Sequence, residues 1–329
     1  MKPTNSPAWT RRALGAVALA CLALGAVGAH AQNWPARPVK VIVPAGAGAA
    51  PDVIARLLAD RLSQAWGQGV VVDNRPGAGG IPGMSALARS ANDGYTIGFV
   101  PAAMGTITPL VYKNPQFNPD TDFTSVATIG ISPLVIVANA TSGINTLQDL
   151  ARFAKANPSK ANFAAPQPNS LPHLAGEMLN KAGNLGMTTV PYPAPPAALT
   201  GLMSGDVMMT TDGIPGLIGQ IKAGKLKALA VTSSQRLPGL DIPTVAETYP
   251  GYEAIGWFQI LLPAGTPAAV IDKVNADVNR IILSPDMTAR LNDMGVYPRA
   301  DSPAAAREFF ASQQRAMKKL VADLGIQPQ

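Results

Sequence analysis

Continuous apolar runs rich in valine and isoleucine alternate along this chain with segments whose apolar residues recur every three to four positions. Residues 39–43 read as a strand. After a Gly/Ala loop, Val53, Ile54, Leu57, Leu58 and Leu62 line one face of a helix. A strand at 70–72, a glycine-rich loop, a short helix near 84–90 and a third strand at 96–100 follow. A second set opens near 134–137 and runs helix 147–156, strand 162–164, helix 174–181, strand 188–190, helix 197–203, strand 207–211 and helix 214–223. A strand at 226–232 leads out of it. Helices at 267–283, 286–294 and 303–324 complete the pattern, and their apolar stripes need an existing surface to pack on. Strands that are apolar throughout, rather than at alternate positions, predict parallel sheet covered on both faces. The expected architecture is α/β with two lobes: 32–132 in the first, 133–232 in the second, and 233–329 returning to the first. Two crossovers make a hinge, and a ligand cleft lies naturally between such lobes.

The first 31 residues change that picture only by being set apart from it. Lys2, Arg11 and Arg12 precede a small and apolar stretch, and Ala29-His30-Ala31 offers the small–x–small pattern of a signal peptidase site, which places cleavage after Ala31. The stretch is too short and too rich in Ala and Gly for a membrane span of about 20 residues. Thr10-Arg11-Arg12-Ala13-Leu14 partly matches a twin-arginine leader, so Sec and twin-arginine export both stay open. Cys21, the single cysteine of the 329 residues, departs with the leader. The mature chain is therefore read without disulfide, thiol nucleophile or Cys-based metal site. Its formal charge falls from +6 to +3 as three cations leave. That mild, scattered excess lacks the clustered basic face of a nucleic-acid binder.

Three loops stand where open α/β sheets hold ligands, at strand carboxyl ends leading into helices. They are 44–52, 74–80 and 165–170. Unpaired backbone N–H groups and the positive helix end hold anions there without basic side chains. A dinucleotide fold, and hence an exported oxidoreductase, is the competing reading, because Asp73 ends the second strand. The glycine fingerprint fails: Gly46-Ala47-Gly48-Ala49-Ala50-Pro51 and Gly77-Ala78-Gly79-Gly80-Ile81-Pro82 each carry proline at the position for the third glycine or alanine. Catalytic constellations are largely absent. Gly83-Met84-Ser85-Ala86-Leu87 lacks the closing glycine of a nucleophile elbow, and no acidic cluster suggests a cation site. His173 and Glu177, at i and i+4, could form a metal pair or a proton relay. A histidine that caps or packs beside the third loop is the reading adopted. The expectation is a binding protein, with no enzyme activity, cofactor or metal.

The residues resemble the periplasmic solute receptors of tripartite tricarboxylate transporters, the Bug receptors, over nearly the whole mature chain. The likeness rests on Trp34 to Pro38, on Ile42-Val43-Pro44 leading to Asp52, and on the run from Val71 to Gly80 followed by Asp93-Gly94-Tyr95-Thr96. It continues in His173-Leu174-Ala175-Gly176-Glu177, Val190-Pro191-Tyr192 and Ile242-Pro243-Thr244-Val245-Ala246-Glu247. Membership implies a type II periplasmic-binding fold that closes on a small organic carboxylate, aromatic or dicarboxylate among the candidates. It also implies a monomeric receptor in the periplasm serving two integral membrane subunits, or presenting its ligand to a sensor kinase. The candidate ligand residues are Ala47, Gly48, Ala49, Ala50 and Asp52 in loop one, Gly79 in loop two, and Ala102 and Ala103 after the third strand. Ala165, Gln167, Ser170 and His173 at loop three, with Tyr192, Ala197 and Asp212, complete the set.

The chain departs from the family pattern within these loops. The usual Pro-Phe-x-x-Gly-Gly-(Ser/Thr) becomes Pro44-Ala45-Gly46-Ala47-Gly48-Ala49-Ala50. The Ser-Ser-Gly-x-Gly stretch becomes Ala165-Pro166-Gln167-Pro168-Asn169, and the Lys-Gly after Pro-Tyr becomes Pro193-Ala194. Proline has no N–H to donate. The expectations are a roomier, less polar pocket for an aromatic or longer-chain carboxylate or, alternatively, loss of tight binding in favour of a sensing or vestigial role.

Overall fold

The computed structural model describes residues 34–328, so the leader read at 1–31, with its cleavage point, lies outside the described residues. The first elements are β1 (Val39–Val43), α1 (Ala50–Trp66), β2 (Val70–Asn74), α2 (Ile81–Ala88), β3 (Thr96–Pro101), the short helices α3 (Ala102–Thr106) and α4 (Thr108–Val111), and β4 (Phe123–Asn139). There follow α5 (Leu147–Ala156), β5 (Asn162–Pro166), α6 (Leu171–Ala182), β6 (Thr188–Tyr192), α7 (Pro195–Ser204), β7 (Met209–Gly213), α8 (Ile214–Lys222) and β8 (Leu226–Val231). The last are β9 (Ile255–Pro263), α9 (Ala268–Ile282), α10 (Pro285–Asp293), β10 (Tyr297–Pro298) and α11 (Pro303–Asp323).

The apolar runs are apolar on both sides because both sides are covered. In β1, Val41 and Val43 join one buried cluster and Ile42 another. In β4, Ile136 and Ala138 face one cluster and Val135 and Val137 a second. Successive strand residues point to opposite faces, so each lobe is a sheet between helical layers.

β1 pairs in parallel with β2 and β3, and β5 in parallel with β6 and β7. The all-parallel expectation needs correcting at the crossings. β9 runs antiparallel to β3 and to residues 123–133 of β4, while residues 134–139 of β4 run antiparallel to β7 and β8. β4 leaves the first lobe and β9 returns to it, so the two strands point in opposite directions. One 17-residue strand thus serves both lobes. Thr232, fully buried, stitches the crossings together: its Oγ1 accepts from Leu134 N–H at 2.8 Å, and its carbonyl accepts from Ala254 N–H at 3.0 Å.

The return begins later than residue 233. Leu237 and Ile242 sit in one second-lobe cluster, and Val245, Tyr252 and Ala254 in the other. Segment 233–254 therefore packs on the second lobe, and the chain re-enters the first at Ile255. The Ile242–Glu247 motif proves architectural here. Thr244 and Glu247 form a reciprocal capping box, and Arg236 grips both Glu247 oxygens. That pairing, with the capping bonds, holds the Glu247 pKa down at about 2.

Candidate functional site

Loop one is held open by its own helix. Asp52, in the first turn of α1 and 3 % exposed, reaches back so that Oδ2 accepts from Gly48 N–H at 2.8 Å, and Oδ1 lies 2.9 Å from Arg56 Nε. Burial alone would raise its pKa, but the Gly48 N–H, Arg56 and Asn74 outweigh burial and hold the carboxyl below the usual aspartate range. Asn74 ties this loop to the next: its amide donates to Ala45 O at 3.2 Å and its Oδ1 accepts from Arg56. With Asp52 consuming the Gly48 N–H and Ala49 N–H bonded to Gly46 O, the N–H groups of Gly46, Ala47 and Ala50 have no partner among the described residues. Ala47 and Ala50 are exposed and Gly46 is half-buried. The motif around Asp73-Asn74-Arg75 thus supports an exposed row of amides.

Loop two provides close packing. Gly80, at φ 86°, allows Pro44 and Met104 to close on it; a Cβ there would lie 2.5 Å from Met104 Cγ and 3.2 Å from Pro44. Gly79, at φ 63°, accepts from the Thr108 hydroxyl at 2.7 Å and leaves no room for a Cβ against Tyr112. Only glycine supplies this combination of positive φ and absent side chain.

Loop three is tightly braced. Ser170 caps α6, accepting from His173 N–H and donating to Pro166 O at 2.6 Å. His173 Nδ1 accepts from Asn169 N–H at 3.0 Å, which places the ring proton on Nε2, 3.4 Å from Glu177. The His173 contact, seconded by Thr189 and opposed by burial, holds the Glu177 carboxyl below its usual range. Gln167 N–H donates to Tyr192 O and Ser170 N–H to Gln167 O. His173, in the first turn of α6, therefore braces the loop that precedes its helix.

Other sequence-predicted residues sit behind the site. Ala102 and Ala165 are buried, at 7 % and 1 % exposure, because each is the inward-facing end of a strand-to-helix junction. Tyr192 turns into the second lobe, its ring filling the space left by Gly201 of α7. Ala197 N–H is bonded to Ala194 O. Asp212, half-buried at the end of β7, accepts from Gly213 N–H at 2.8 Å. With no ion pair among the described residues, burial raises its pKa above the ordinary aspartate value, against the pull of that bond.

Between the lobes lies a cavity of about 520 Å³. Gly79 and Ala103 border it from the first lobe, and Gln167, Asn169 and Ser170 from the second. Its apolar wall of Met104, Ile107, Val111, Tyr112 and Leu171 was not foreseen, since patterning assigns no helix to 102–111. The signal was available in the stretch after β3's carboxyl end, where Ile107 and Leu110-Val111 recur at helical spacing. Pro44, where loop one begins, and Met104 of the cavity wall meet at Gly80. Opposite, Ile107 and Val111 of the first lobe and Leu174 of α6 share a buried cluster with Leu320 of α11. Lys181 of α6 pairs with Asp323 at 2.8 Å, so α11 fastens the lobes together. Among the described residues there is no cluster of metal-ligating side chains.

The model of one protein family, the tripartite tricarboxylate transporter family receptor, matches residues 54–326. A UPF0065 protein of Bordetella bronchiseptica is 35 % identical over 98 % of this chain and 99 % of its own. Among solved structures, a Rhodopseudomonas palustris protein, Rpa4515, seen with adipate, is 32 % identical, covering 90 % of this chain and all of its own, with a TM-score of 0.73. The periplasmic binding protein BugD is 33 % identical over 90 % of this chain and all of its own, with a TM-score of 0.69.

Proposed function

Since the chain belongs to the receptor family of tripartite tricarboxylate transporters, we propose that it captures a small organic carboxylate in the periplasm and delivers it to two membrane subunits. The observation that carries this reading is the row of unpartnered loop-one amides at the start of α1, in a protein whose two lobes enclose a cavity between them. Backbone N–H groups at the start of α1 suit a carboxylate, with the 17-residue helix adding its positive end. Gly46, Ala47 and Ala50 contribute their free N–H groups, while Gly48 and Ala49 shape the loop through the bonds their own N–H groups make. Asp52 and His173 act through the loops they brace. Gly79, Ala103, Gln167 and Ser170 form walls. The receptor relatives, one of them seen with adipate, support the same ligand class. The leader at 1–31 would deliver the chain to the periplasm, released after Ala31.

Closure around the solute would bend β4 and the 232–255 crossing at Thr232, giving the membrane subunits a loaded form to distinguish from the empty one. A thermal-shift screen of organic acids tests the proposal. Binding to the native state alone stabilises it by about 2.7 kcal/mol at one hundred times Kd. A specific acid raises Tm in a concentration-dependent way. A melting temperature unmoved by every aliphatic and aromatic acid contradicts the proposal.

A further inference from the structure

Loop three holds two of its residues in left-handed backbone conformations, Gln167 at φ 53° and Asn169 at φ 64°. Residues other than glycine adopt that region at a cost, and stay there only where neighbouring groups hold them. Gln167 N–H is held by Tyr192 O at 2.8 Å, and Asn169 N–H by the His173 ring at 3.0 Å. Nδ1 of His173 can accept that bond only while it carries no proton. A second ring proton would set two N–H groups against each other there. On the far side of the ring, Nε2 faces Glu177, whose Oε1 also accepts from the Thr189 hydroxyl of β6. Among the described residues, Glu177 is the acid within ion-pair distance of the ring. Of the elements packed on α6, β5 offers no titratable side chain, β6 offers Tyr192 and β7 offers Asp212. The α4 end brings Tyr112, the 249–253 segment Tyr249, Tyr252 and Glu253, and α11 brings Lys319 and Asp323, which engages Lys181. Asn169 itself lines the interlobe cavity beside Gln167 and Ser170.

We propose that His173 is a positioning residue whose ring must be neutral for loop three to hold the solute, so that a proton taken up by Nδ1 weakens binding. This rests on the receptor reading above and adds a requirement to it. The loaded form needs Asn169 fixed in the cavity wall, whereas the empty form tolerates its release. The doubly protonated ring therefore costs the loaded form more. The effect is reciprocal by linkage: bound solute makes the ring harder to protonate by the same factor. One net hydrogen bond sets the scale, and its loss corresponds to about fivefold in affinity. Glu177 acts in the opposite sense. Its charge favours the second proton, and so sets the pH at which the brace is lost.

NMR and calorimetric titration of the full mature protein tests this. His173 is the only histidine after residue 31, so its imidazole signals identify themselves. Imidazoles gain their second proton between about pH 8 and about pH 5. Over that range, with no solute present, the Asn169 amide signal should move with the same midpoint as the His173 ring. Affinity for the acid that most raises Tm should fall about fivefold across that midpoint. His173→Asn puts a carbonyl oxygen near the place of Nδ1 and does not titrate, so it should bind as the neutral parent does, independently of pH. Glu177→Gln removes the charge that favours the second proton and should move the midpoint to lower pH, with circular dichroism confirming the fold. An Asn169 signal indifferent to the ring's titration overturns the proposal. So does a parent affinity that is flat with pH, or an equal pH dependence in His173→Asn. Absence of binding by every acid in the screen overturns the receptor reading and this proposal with it, a failure that the solute-free NMR separates from a failure of the brace.

Discussion

Asp52 separates a residue that positions a site from one that touches a ligand. Replacing it with alanine removes a nearly fully buried acceptor from the Gly48 N–H and the partner of Arg56. A hydrogen bond to a charged group contributes about 1.5–3 kcal/mol. The Arg56 pairing adds at most about 1 kcal/mol, since that side chain is half exposed. The sum is about 1.5–4 kcal/mol, which for a protein of this size lowers Tm by about 2–6 °C. The loop-one amides lose their orientation at the same time, so acid affinity should fall by about tenfold or more, a change of about 1.4 kcal/mol. Asp52→Asn keeps an acceptor but loses the charge and should fall between parent and Asp52→Ala. The folded-state pKa of Asp52 lies below the unfolded value, so its contribution is fully present above the unfolded value and fades as pH falls through the lowered one. Differential scanning calorimetry at pH 7 and pH 3, paired with titration of a bound acid, measures both effects. An unaltered Tm with abolished binding would refute the reasoning, because Asp52 would then act on the ligand directly.

Asp212→Asn should stabilise the protein at pH 7. The raised pKa means that ionised Asp212 carries a penalty above its folded-state value, one that disappears as pH falls toward 3.8, so the variant's Tm advantage should vanish near pH 4. Leu320→Ala, in the cluster joining α11 to both lobes, should cost about 2 kcal/mol or more and enlarge the radius of gyration in small-angle scattering of the unliganded protein. Gly80→Ala should cost about 2–4 kcal/mol in denaturant unfolding, from a strained positive φ and a Cβ driven against Met104 and Pro44.

Much of the fold was legible because its strands are buried on both faces. Runs such as 134–138 leave no alternation to confuse them with exposed strands, and the helix read over 147–156 has those bounds in the structure, where the Thr146 side chain caps it. The crossings were harder. β4 carries Thr128, Gly130 and Ser132 through its first half, so only 134–137 read as strand. Segment 233–254 has little regular structure, and its second-lobe packing comes from scattered apolar residues with no period to read. Of the candidate site, the loops were visible as glycine- and proline-rich stretches, and His173 stood out as the one histidine among residues 32–329. The direction in which Tyr192 turns, and the occupancy of each N–H around Pro195 and Asp212, depend on tertiary geometry that spacing does not encode.

The central claim is that amides opening α1 hold the solute's carboxylate inside the interlobe cavity. A crystal structure of the protein with the acid that most raises its Tm tests that claim directly. The account requires carboxylate oxygens within hydrogen-bond reach of the Gly46, Ala47 or Ala50 N–H groups, with the rest of the molecule against Met104 and Tyr112. An acid bound outside the cavity, or one anchored by the second lobe while the loop-one amides face solvent, would contradict it.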